Sequence, residues 1–349
     1  MNAYYTEPTM NKWLIDSDRE ELSALYYYAE KVGVSRAIIE FSARLCYNSL
    51  AKLGHAPNFV EKVLTDGHLS VAEHYSLFFR VDGQKHVTGE KKVYTKPLMT
   101  YEMLQNAYRR NRFLEATGNS VWGNQRALNE GLGDRSEPYK IFSTIMSKYY
   151  PTLYVPGNRF DSVVNETNPN LYIPGQENVK LLCHNRGTLN NTKRNLSNDP
   201  RFRYGSFTFL VENISRATAN QLVRHRGASI SQESQRYVKA LNAEFVYPSK
   251  NPLFDEAYKH SMEIYEKLLS AGVKKEDARF VLPNGITTRM VVTFYYREFI
   301  HFLRLRLNKH AQWEIRENIA RQMYEQALLC GNLSAIELGG LKHELGIDG

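Results

Sequence analysis

The chain has 349 residues, of which 42% are hydrophobic and 23% are charged, with a formal net charge of +8 at pH 7. This balance is typical of a globular protein and excludes disorder as its main state. No uncharged apolar run approaches the roughly 18 residues that span a membrane, and the N-terminus lacks a signal-peptide pattern, so we expect a cytoplasmic protein. The three cysteines, Cys46, Cys183 and Cys330, are far apart, which disfavours a disulfide framework, and we predict no metal site.

The positive charge is concentrated in the middle of the chain. Residues 81–205 hold 18 Lys and Arg against 11 Asp and Glu, and the remainder is close to neutral. This excess favours anionic partners. Asn, Gly and Pro are scattered through the same region, and only windows 100–116 and 138–150 are convincingly helical. We therefore predict three segments: an N-terminal part of the main domain at 1–83, a basic insertion or subdomain at 84–205, and the rest of the main domain at 206–349.

Helical periodicity comes first along the chain. The patterns DREELSALYYYAEKVG, SRAIIEFSARLCYNSLAKLG and NFVEKVLTDG predict three helices. Ser70 and Glu73 have the spacing of a capping box, and YSLFFRVDG after them reads as a strand. The sequence thus predicts a short helix that leads into a sheet.

A strand and further helices are predicted after the insertion. SFTFLVEN alternates as a strand does, and SRATANQLVRHRGASISQESQRYV reads as a helix that runs into a polar loop. Three helices are predicted in the last third of the chain, over FDEAYKHSMEIYEKLLSAG, ITTRMVVTFYYREFIHFLRLRLN and HAQWEIRENIARQMYEQALLCG.

Segment 224–236 carries the densest chemical signal, with three arginines, a histidine and several hydroxyls within 13 residues. Arginine offers a planar fork of donors that suits phosphate or carboxylate, and loop hydroxyls and amides can complete an anion site. An exposed basic loop with ordinary salt bridges is the alternative, and composition does not choose between them.

A second basic set lies in the C-terminal helices. One explanation of this set is that its arginines pair with Glu298, Glu314 or Glu317 within the chain. The other is that they form a shared anion site. His68 and His74 beside the capping box also read most simply as turn histidines. The set comprises Arg279, Arg289, Arg297, Arg304 and Arg306, with His301 one turn after Arg297.

Several common catalytic patterns do not occur in the sequence. There is no HExxH, Walker-type GxxxxGK[ST], GxSxG or strand-flanked GxGxxG. Zinc hydrolysis, P-loop chemistry, a serine nucleophile and a Rossmann cofactor site therefore have no support.

The segment RHRGASISQESQRYV resembles the signature of the flavin-dependent thymidylate synthases, which is Arg-His-Arg, seven residues and then Ser. GHLSVAEH, DARFVLP and REFIHFLRLRLNKHAQWEIR fit the same family in the same order. The resemblance covers about 35–80 and 206–335 and leaves out the middle insertion.

The resemblance implies an α+β fold, with a mainly antiparallel sheet packed with helices, long C-terminal helices and a large insertion before the signature motif. It also implies a homotetramer with active sites between subunits. The family's reaction converts dUMP to dTMP with a methylene group from methylenetetrahydrofolate and hydride from reduced FAD, and NADPH restores the flavin. All these ligands are anions, which suits a chain that supplies arginine rather than a metal or a thiolate.

Site residues follow from the resemblance by position. Arg306, Arg224 and Ser234 are the implied catalytic residues, with Arg306 polarising the uracil and Arg224 reaching the base across the subunit boundary. Gln221, Gln232, Ser234, Arg236 and Arg279 are the implied dUMP contacts. The implied FAD contacts are His68, Ser70, Glu73, Arg224, His225, Arg226, Gly227, Tyr295 and His301.

Tyr295 is a departure from the family, because many relatives have Asn at that position. An enzyme that makes a hydroxymethylated pyrimidine, or acts on dCMP, therefore stays open as an alternative. A nucleic-acid-binding protein that uses the basic insertion is a less favoured one, as is a homologue that only binds nucleotide.

Overall fold

The structure is a computed structural model. It describes residues 2–6, 8–74, 76–82, 85–88, 91–94, 114–117, 120–124, 126, 177–185, 205–241 and 243–330.

The described helices lie mainly at the two ends of the chain. Gly33, with a φ of 88°, separates the first two, and its amide caps the first by donating to the Ala29 carbonyl; glycine tolerates this φ because it has no Cβ. The helices are α1 Glu20–Val32, α2 Val34–Cys46, α3 Phe59–Thr65, α4 Arg216–Leu222, α5 Pro252–Ser270, α6 Lys275–Ala278, α7 Tyr296–Arg306 and α8 Gln322–Cys330. Shorter 3₁₀ segments cover Lys12–Asp16, Leu50–Lys52, Leu69–His74 and Arg279–Val281, and Ile315–Arg321 is π-helical.

The described strands form three antiparallel sheets. The first has the order β1-β3-β7-β6, the second β10-β11-β9-β8-β2, and the third pairs β4 with β5. Their bounds are β1 Asn2–Thr6, β2 Thr9–Met10, β3 Ser76–Asp82, β4 Lys85–Thr88, β5 Lys91–Tyr94, β6 Leu114–Thr117, β7 Ser120–Asn124, β8 Val179–Asn185, β9 Ser206–Ser215, β10 Ala228–Gln232 and β11 Thr287–Tyr295.

Helices cover both faces of the five-stranded sheet. Along β9, Phe207, Phe209 and Val211 share a core with α7, the π-helical segment and α8. Leu210 belongs instead to a core with α1 and α2. This alternation is the two-residue period of a strand between two apolar layers. The predicted α+β class, with antiparallel sheet packed by helices, is therefore confirmed.

The predicted helix over 286–308 is wrong in its first half. Thr287–Tyr295 is the central strand β11, and only Tyr296–Arg306 is helical. A strand buried on both faces has a continuous apolar run rather than alternation, so its sequence period does not separate it from a buried helix.

Four smaller predictions also need correction. The helix predicted over 35–54 ends at Cys46, and Ala228–Gln232 is a strand where a polar loop was expected. The short helix before β3 begins at Leu69, so Ser70 lies inside it and is not its cap. Leu114–Thr117 is a strand at the end of the predicted helical window 100–116, whereas residues 100–113 and the window 138–150 lie outside the described residues.

Two parts of the predicted insertion pair with strands outside it. β8 pairs with β9 in the five-stranded sheet, and β7 pairs with β3. No helix in the described part of the chain is long and apolar enough to cross a membrane.

Candidate active site

The Arg-His-Arg segment forms the turn between α4 and β10. Ser215 caps α4 by accepting a hydrogen bond from the Thr218 amide at 3.1 Å. The buried carboxylate of Glu314 accepts bonds from the Ser215 amide, the Ser215 hydroxyl and the Thr218 hydroxyl at 2.6 to 2.7 Å. These bonds fix the start of α4 and therefore the place at which the turn begins.

Arg306, at the end of α7, reaches this turn. Its Nε donates to Nε2 of His225 at 2.8 Å, and its Nη2 approaches the Gln221 carbonyl at 3.5 Å. Because Nε2 accepts this bond, we assign the His225 proton to Nδ1 and treat the ring as neutral. Burial, with smaller contributions from Arg306 and His301, lowers the pKa of His225 to about 4, which agrees with that assignment. Burial also lowers the pKa of Arg306.

The two flanking arginines of the turn point into the solvent. Arg224 and Arg226 are exposed, and within the described residues neither guanidinium forms a hydrogen bond or an ion pair. Gly227 follows them, and a Cβ at this position would overlap the carboxyl group of Glu298 on α7. The turn thus has two solvent-exposed guanidinium groups, and its backbone at Gly227 packs closely against α7.

A second arginine pair meets at Glu276 on α6. Arg236 donates from Nε to the Glu276 carboxylate at 2.9 Å, and Arg279 donates from Nε to the Glu276 carbonyl oxygen at 3.0 Å. Ser234 lies beside them, since its hydroxyl accepts a bond from the Arg236 amide at 3.2 Å. The Ser234 amide in turn donates to the carbonyl of Cys46 at the end of α2.

Arg216 is a member of this region that sequence reasoning missed. It opens α4 and lines a cavity of about 350 Å³ together with Glu233 and Thr288. Its Nη2 donates to the Glu233 carbonyl at 3.1 Å, and its buried Nε has no hydrogen-bond partner among the described residues. Burial and the nearby charge of Arg279 lower the pKa of Arg216. Arg216 therefore places an unsatisfied N–H donor at a cavity, with the charge of Arg279 nearby.

His68, Ser70 and Glu73 lie on or beside the 3₁₀ segment Leu69–His74. His68 is exposed, with its Nε2 at 3.5 Å from the Tyr47 hydroxyl. Ser70 is also exposed, and Glu73 pairs with Arg126 at 2.7 Å. In the part of the chain that is described, no hydrogen bond or ion pair joins these three residues to the Arg-His-Arg turn.

A buried histidine docks the 3₁₀ segment onto the sheet. His74 bonds to the hydroxyl of Ser231 on β10 at 2.9 Å and to that of Thr293 on β11 at 3.0 Å. Thr293 is bonded in turn to Thr208 on β9 at 2.8 Å. Burial lowers the pKa of His74 to about 3. The sequence predicted that His74 lies in a turn. In the structure it is instead a neutral histidine in the core.

The remaining predicted site residues are spread along β10, β11 and α7. Gln232 donates to the Thr288 hydroxyl at 3.4 Å. Tyr295 ends β11 and precedes α7, so it is not part of a long helix as predicted. His301 is exposed on α7, five residues before Arg306.

The structure brings the predicted arginines together in two groups at opposite ends of β10. The Arg306–His225 contact lies before the first residue of the strand, and the Arg236–Glu276–Arg279 contact lies after its last. At about 3.4 Å per residue, five residues of strand span on the order of 17 Å. No hydrogen bond or ion pair joins the two groups among the described residues.

The expected pairing of C-terminal arginines with acidic residues needs correction. Glu317 pairs with Arg316 and Arg321, neither of which belonged to the predicted set. Glu314 binds hydroxyls and an amide, as described above. Arg289 pairs with Glu233 at 3.5 Å and also contacts Asn48. No group of three potential metal ligands occurs among the described residues.

Comparisons with known proteins find similarity in the second half of the chain. Residues 178–328 match the family model described as thymidylate synthase complementing protein. The predicted resemblance to the flavin-dependent thymidylate synthases is confirmed for this part of the chain.

Two relatives of that name illustrate the match. The flavin-dependent thymidylate synthase of Sulfurisphaera tokodaii is 46% identical over 128 residues, which are 34% of this chain and 49% of the relative. That of Geobacter sulfurreducens is 48% identical over 122 residues, which are 32% of this chain and 53% of the relative. The chain thus spans about half the length of the curated relatives that it matches.

A solved structure of thymidylate synthase X from Helicobacter pylori with FAD and dUMP is also similar. It is 21% identical and covers 36% of this chain and 69% of its own, with a TM-score of 0.33. That TM-score is too low to support an inference about ligands.

Proposed function

We propose that this protein is an FAD-dependent thymidylate synthase, which converts dUMP to dTMP with methylenetetrahydrofolate and NADPH. The contact between Arg306 and His225 carries the proposal. It joins the two segments, 81 residues apart, that hold the implied catalytic arginines. We further propose that the protein is cytoplasmic and forms a homotetramer with sites between subunits.

The cavity beside Arg216 suits the phosphate of the nucleotide. Arg216 and Lys239 line it, the charge of Arg279 lies near Arg216, and the Arg216 Nε is buried without a partner among the described residues. A buried N–H without an acceptor costs about 1–3 kcal/mol, so an anion that accepts from it gains affinity. The Ser234 hydroxyl, beside Arg236, supplies a further donor for phosphate or sugar oxygens.

The Arg-His-Arg turn fits an FAD diphosphate by the chemistry of its donors. Arg224 and Arg226 present two exposed guanidiniums, and Gly227 lets the backbone pass close to α7. Guanidinium forks bind phosphate oxygens through paired charged hydrogen bonds. His68, Ser70, Glu73, Tyr295 and His301 are the other residues that we propose to hold the cofactor. The flavin supplies hydride chemistry, and the chain supplies binding and orientation.

Arg306 is proposed to stabilise the negative charge that develops on the uracil carbonyl. Its Nε bond to neutral His225 holds the guanidinium in one orientation and leaves Nη1 free of partners among the described residues. Arginine stays protonated even where burial lowers its pKa. A fixed donor aimed at developing charge costs little reorganisation during the reaction.

The test is flavin content together with product identity. The purified protein should be yellow or become so with FAD, its flavin absorbance should shift on dUMP addition, and dTMP should form only with methylenetetrahydrofolate and a reductant. Arg236→Ala should weaken dUMP binding by about tenfold or more, since a charged hydrogen bond contributes about 1.5–3 kcal/mol. Arg321→Ala is the matched control, because that arginine also pairs with a glutamate, Glu317, but within the π-helical segment.

Failure to bind FAD would refute the proposed function. Mass spectrometry of the product separates dTMP from a hydroxymethylated pyrimidine. That measurement is needed because Tyr295, directly before α7, departs from the residue that many relatives have at this position.

A further inference from the structure

One residue, Glu276, accepts a hydrogen bond from the Nε atom of two arginines, Arg236 and Arg279. The Glu276 carboxylate accepts from the Arg236 Nε at 2.9 Å, and its main-chain oxygen accepts from the Arg279 Nε at 3.0 Å. The two arginines are 43 positions apart in the sequence, on a turn after β10 and on the 3₁₀ segment after α6. Glu276 is therefore the common point of two separate elements.

The two Nε bonds to Glu276 leave the Nη atoms of both arginines available for a ligand. Among the described residues, no Nη atom of Arg236 or Arg279 forms a hydrogen bond. A guanidinium has five N–H donors in a rigid plane, so a bond at Nε orients the Nη pair without using it. The Nη pair is the part of arginine that binds a phosphate with two parallel bonds.

We propose that Glu276 is a positioning residue that aims the Arg236 and Arg279 forks at the nucleotide phosphate. This inference rests on the proposed function, because it takes the phosphate of a nucleotide as the ligand of these two arginines.

A second tie joins the same two elements. Lys275, next to Glu276 on α6, donates from Nζ to the Tyr237 carbonyl at 2.6 Å. The Arg236 guanidinium also lies over the Tyr237 ring, with 5.4 Å from Cζ to the ring centroid. The turn at 234–237 is thus bound to α6 by the side chains of Lys275 and Glu276. These bonds fix the backbone of Arg236 as well as the orientation of its guanidinium.

Stability does not explain the ion pair. The Arg236 and Glu276 side chains are 58% and 38% exposed, and exposed ion pairs contribute little to folding. The charge of Glu276 would also repel a phosphate. A carboxylate beside an anion site is disfavoured unless its hydrogen-bonding geometry outweighs that repulsion.

Charge and geometry can be separated by two substitutions. Glu276→Gln keeps an oxygen that accepts from Nε and removes the charge, whereas Glu276→Ala removes both. We expect Glu276→Gln to bind dUMP as tightly as the wild type or more tightly. We expect Glu276→Ala to bind about two- to tenfold more weakly, the loss that follows when a free side chain must be ordered on binding.

Calorimetric titration of the FAD-reconstituted full chain with dUMP makes the measurement. In the Arg236→Ala background, Glu276→Ala should cause little further loss, because the partner of the carboxylate is gone and the Arg279 Nε keeps its main-chain acceptor. Glu317→Ala, which breaks an exposed arginine pair elsewhere, is the matched control and should leave the dissociation constant unchanged. Equal or tighter binding of dUMP by Glu276→Ala would overturn the inference. That result is expected if Glu276 only places a negative charge near the phosphate and does not orient Arg236.

A ligand-free readout keeps this test distinct from that of the proposed function. In proton–nitrogen NMR spectra, the Arg236 Nε–H should exchange slowly in the wild type and in Glu276→Gln, and rapidly in Glu276→Ala. If the wild type binds no dUMP, the proposed nucleotide chemistry fails. An Arg236 signal that does not change in Glu276→Ala would show that Glu276 does not hold this side chain.

Discussion

His74→Leu tests whether the buried histidine joins the 3₁₀ segment to the sheet. His74 is 1% exposed, and both ring nitrogens bond to hydroxyls, of Ser231 and Thr293. Leucine fills a similar volume without either bond. Thr293 keeps its bond to Thr208, so the main loss falls on the Ser231 hydroxyl and on the docking of the segment. A buried polar group left without its partner costs about 1–3 kcal/mol, and we expect a total loss of about 2–4 kcal/mol.

A double-mutant cycle checks the mechanism of that loss. Urea unfolding followed by circular dichroism gives the free energy of unfolding from the midpoint and slope. Ser231→Ala alone should cost about 1–2 kcal/mol, and the double variant should cost less than the sum by about 1–2 kcal/mol, because the two residues share one bond. Ser42→Ala is the control, since its buried hydroxyl has no partner among the described residues. Strict additivity of His74→Leu and Ser231→Ala would refute the reasoning.

The remaining predictions concern charge and assembly. Arg306→Lys should keep the fold but lower the turnover of dTMP formation by on the order of 10²-fold, because an ammonium cannot bind His225 and retain a planar fork; wild-type turnover would contradict this. The folded-state pKa of His74, about 3, lies below its ordinary 6.5, so the unfolded chain binds more protons between these values and the free energy of unfolding falls as pH decreases through that window. In His74→Leu the pH dependence should be shallower over the same window, and an identical slope in urea midpoints would show that His74 titrates normally. Arg306→Lys and Arg236→Ala are each expected to be impaired alone. If each site takes its two arginine groups from different copies, a mixed and reassembled sample should be more active than either variant, and no recovery would count against sites between subunits.

The sequence predicted elements well wherever one face is polar. Helices α1, α3 and α5 follow their amphipathic periods and stop signals within a few residues. Strand β11 was missed because helices cover both of its faces, which removes the alternation on which a strand prediction depends. Its β-branched residues, Val291, Val292 and Thr293, were the available signal for a strand.

The candidate site was predictable where residue types cluster locally and not where contacts are long-range. Arg224, His225 and Arg226 stand out as adjacent basic side chains. Arg216 does not, because a single arginine at a strand-to-helix boundary has no pattern to distinguish it. Glu276 has the same difficulty, since its importance arises only when the fold brings it to Arg236, 40 residues away.

The spacing of the signature motif has a structural reason in β10. Seven residues separate Arg226 from Ser234, and β10 takes up five of them, Ala228–Gln232. Its pairing with β11 fixes the register, with Ala228 opposite Phe294 and Gln232 opposite Met290. One inserted or deleted residue would shift the far end of the motif by about 3.4 Å and turn its side chains to the other face of the sheet. The Arg-His-Arg turn and Ser234 therefore depend on the fixed length of β10 to reach the two ends of the candidate site. The sequence between Arg226 and Ser234 must keep its length even where its side chains face the core.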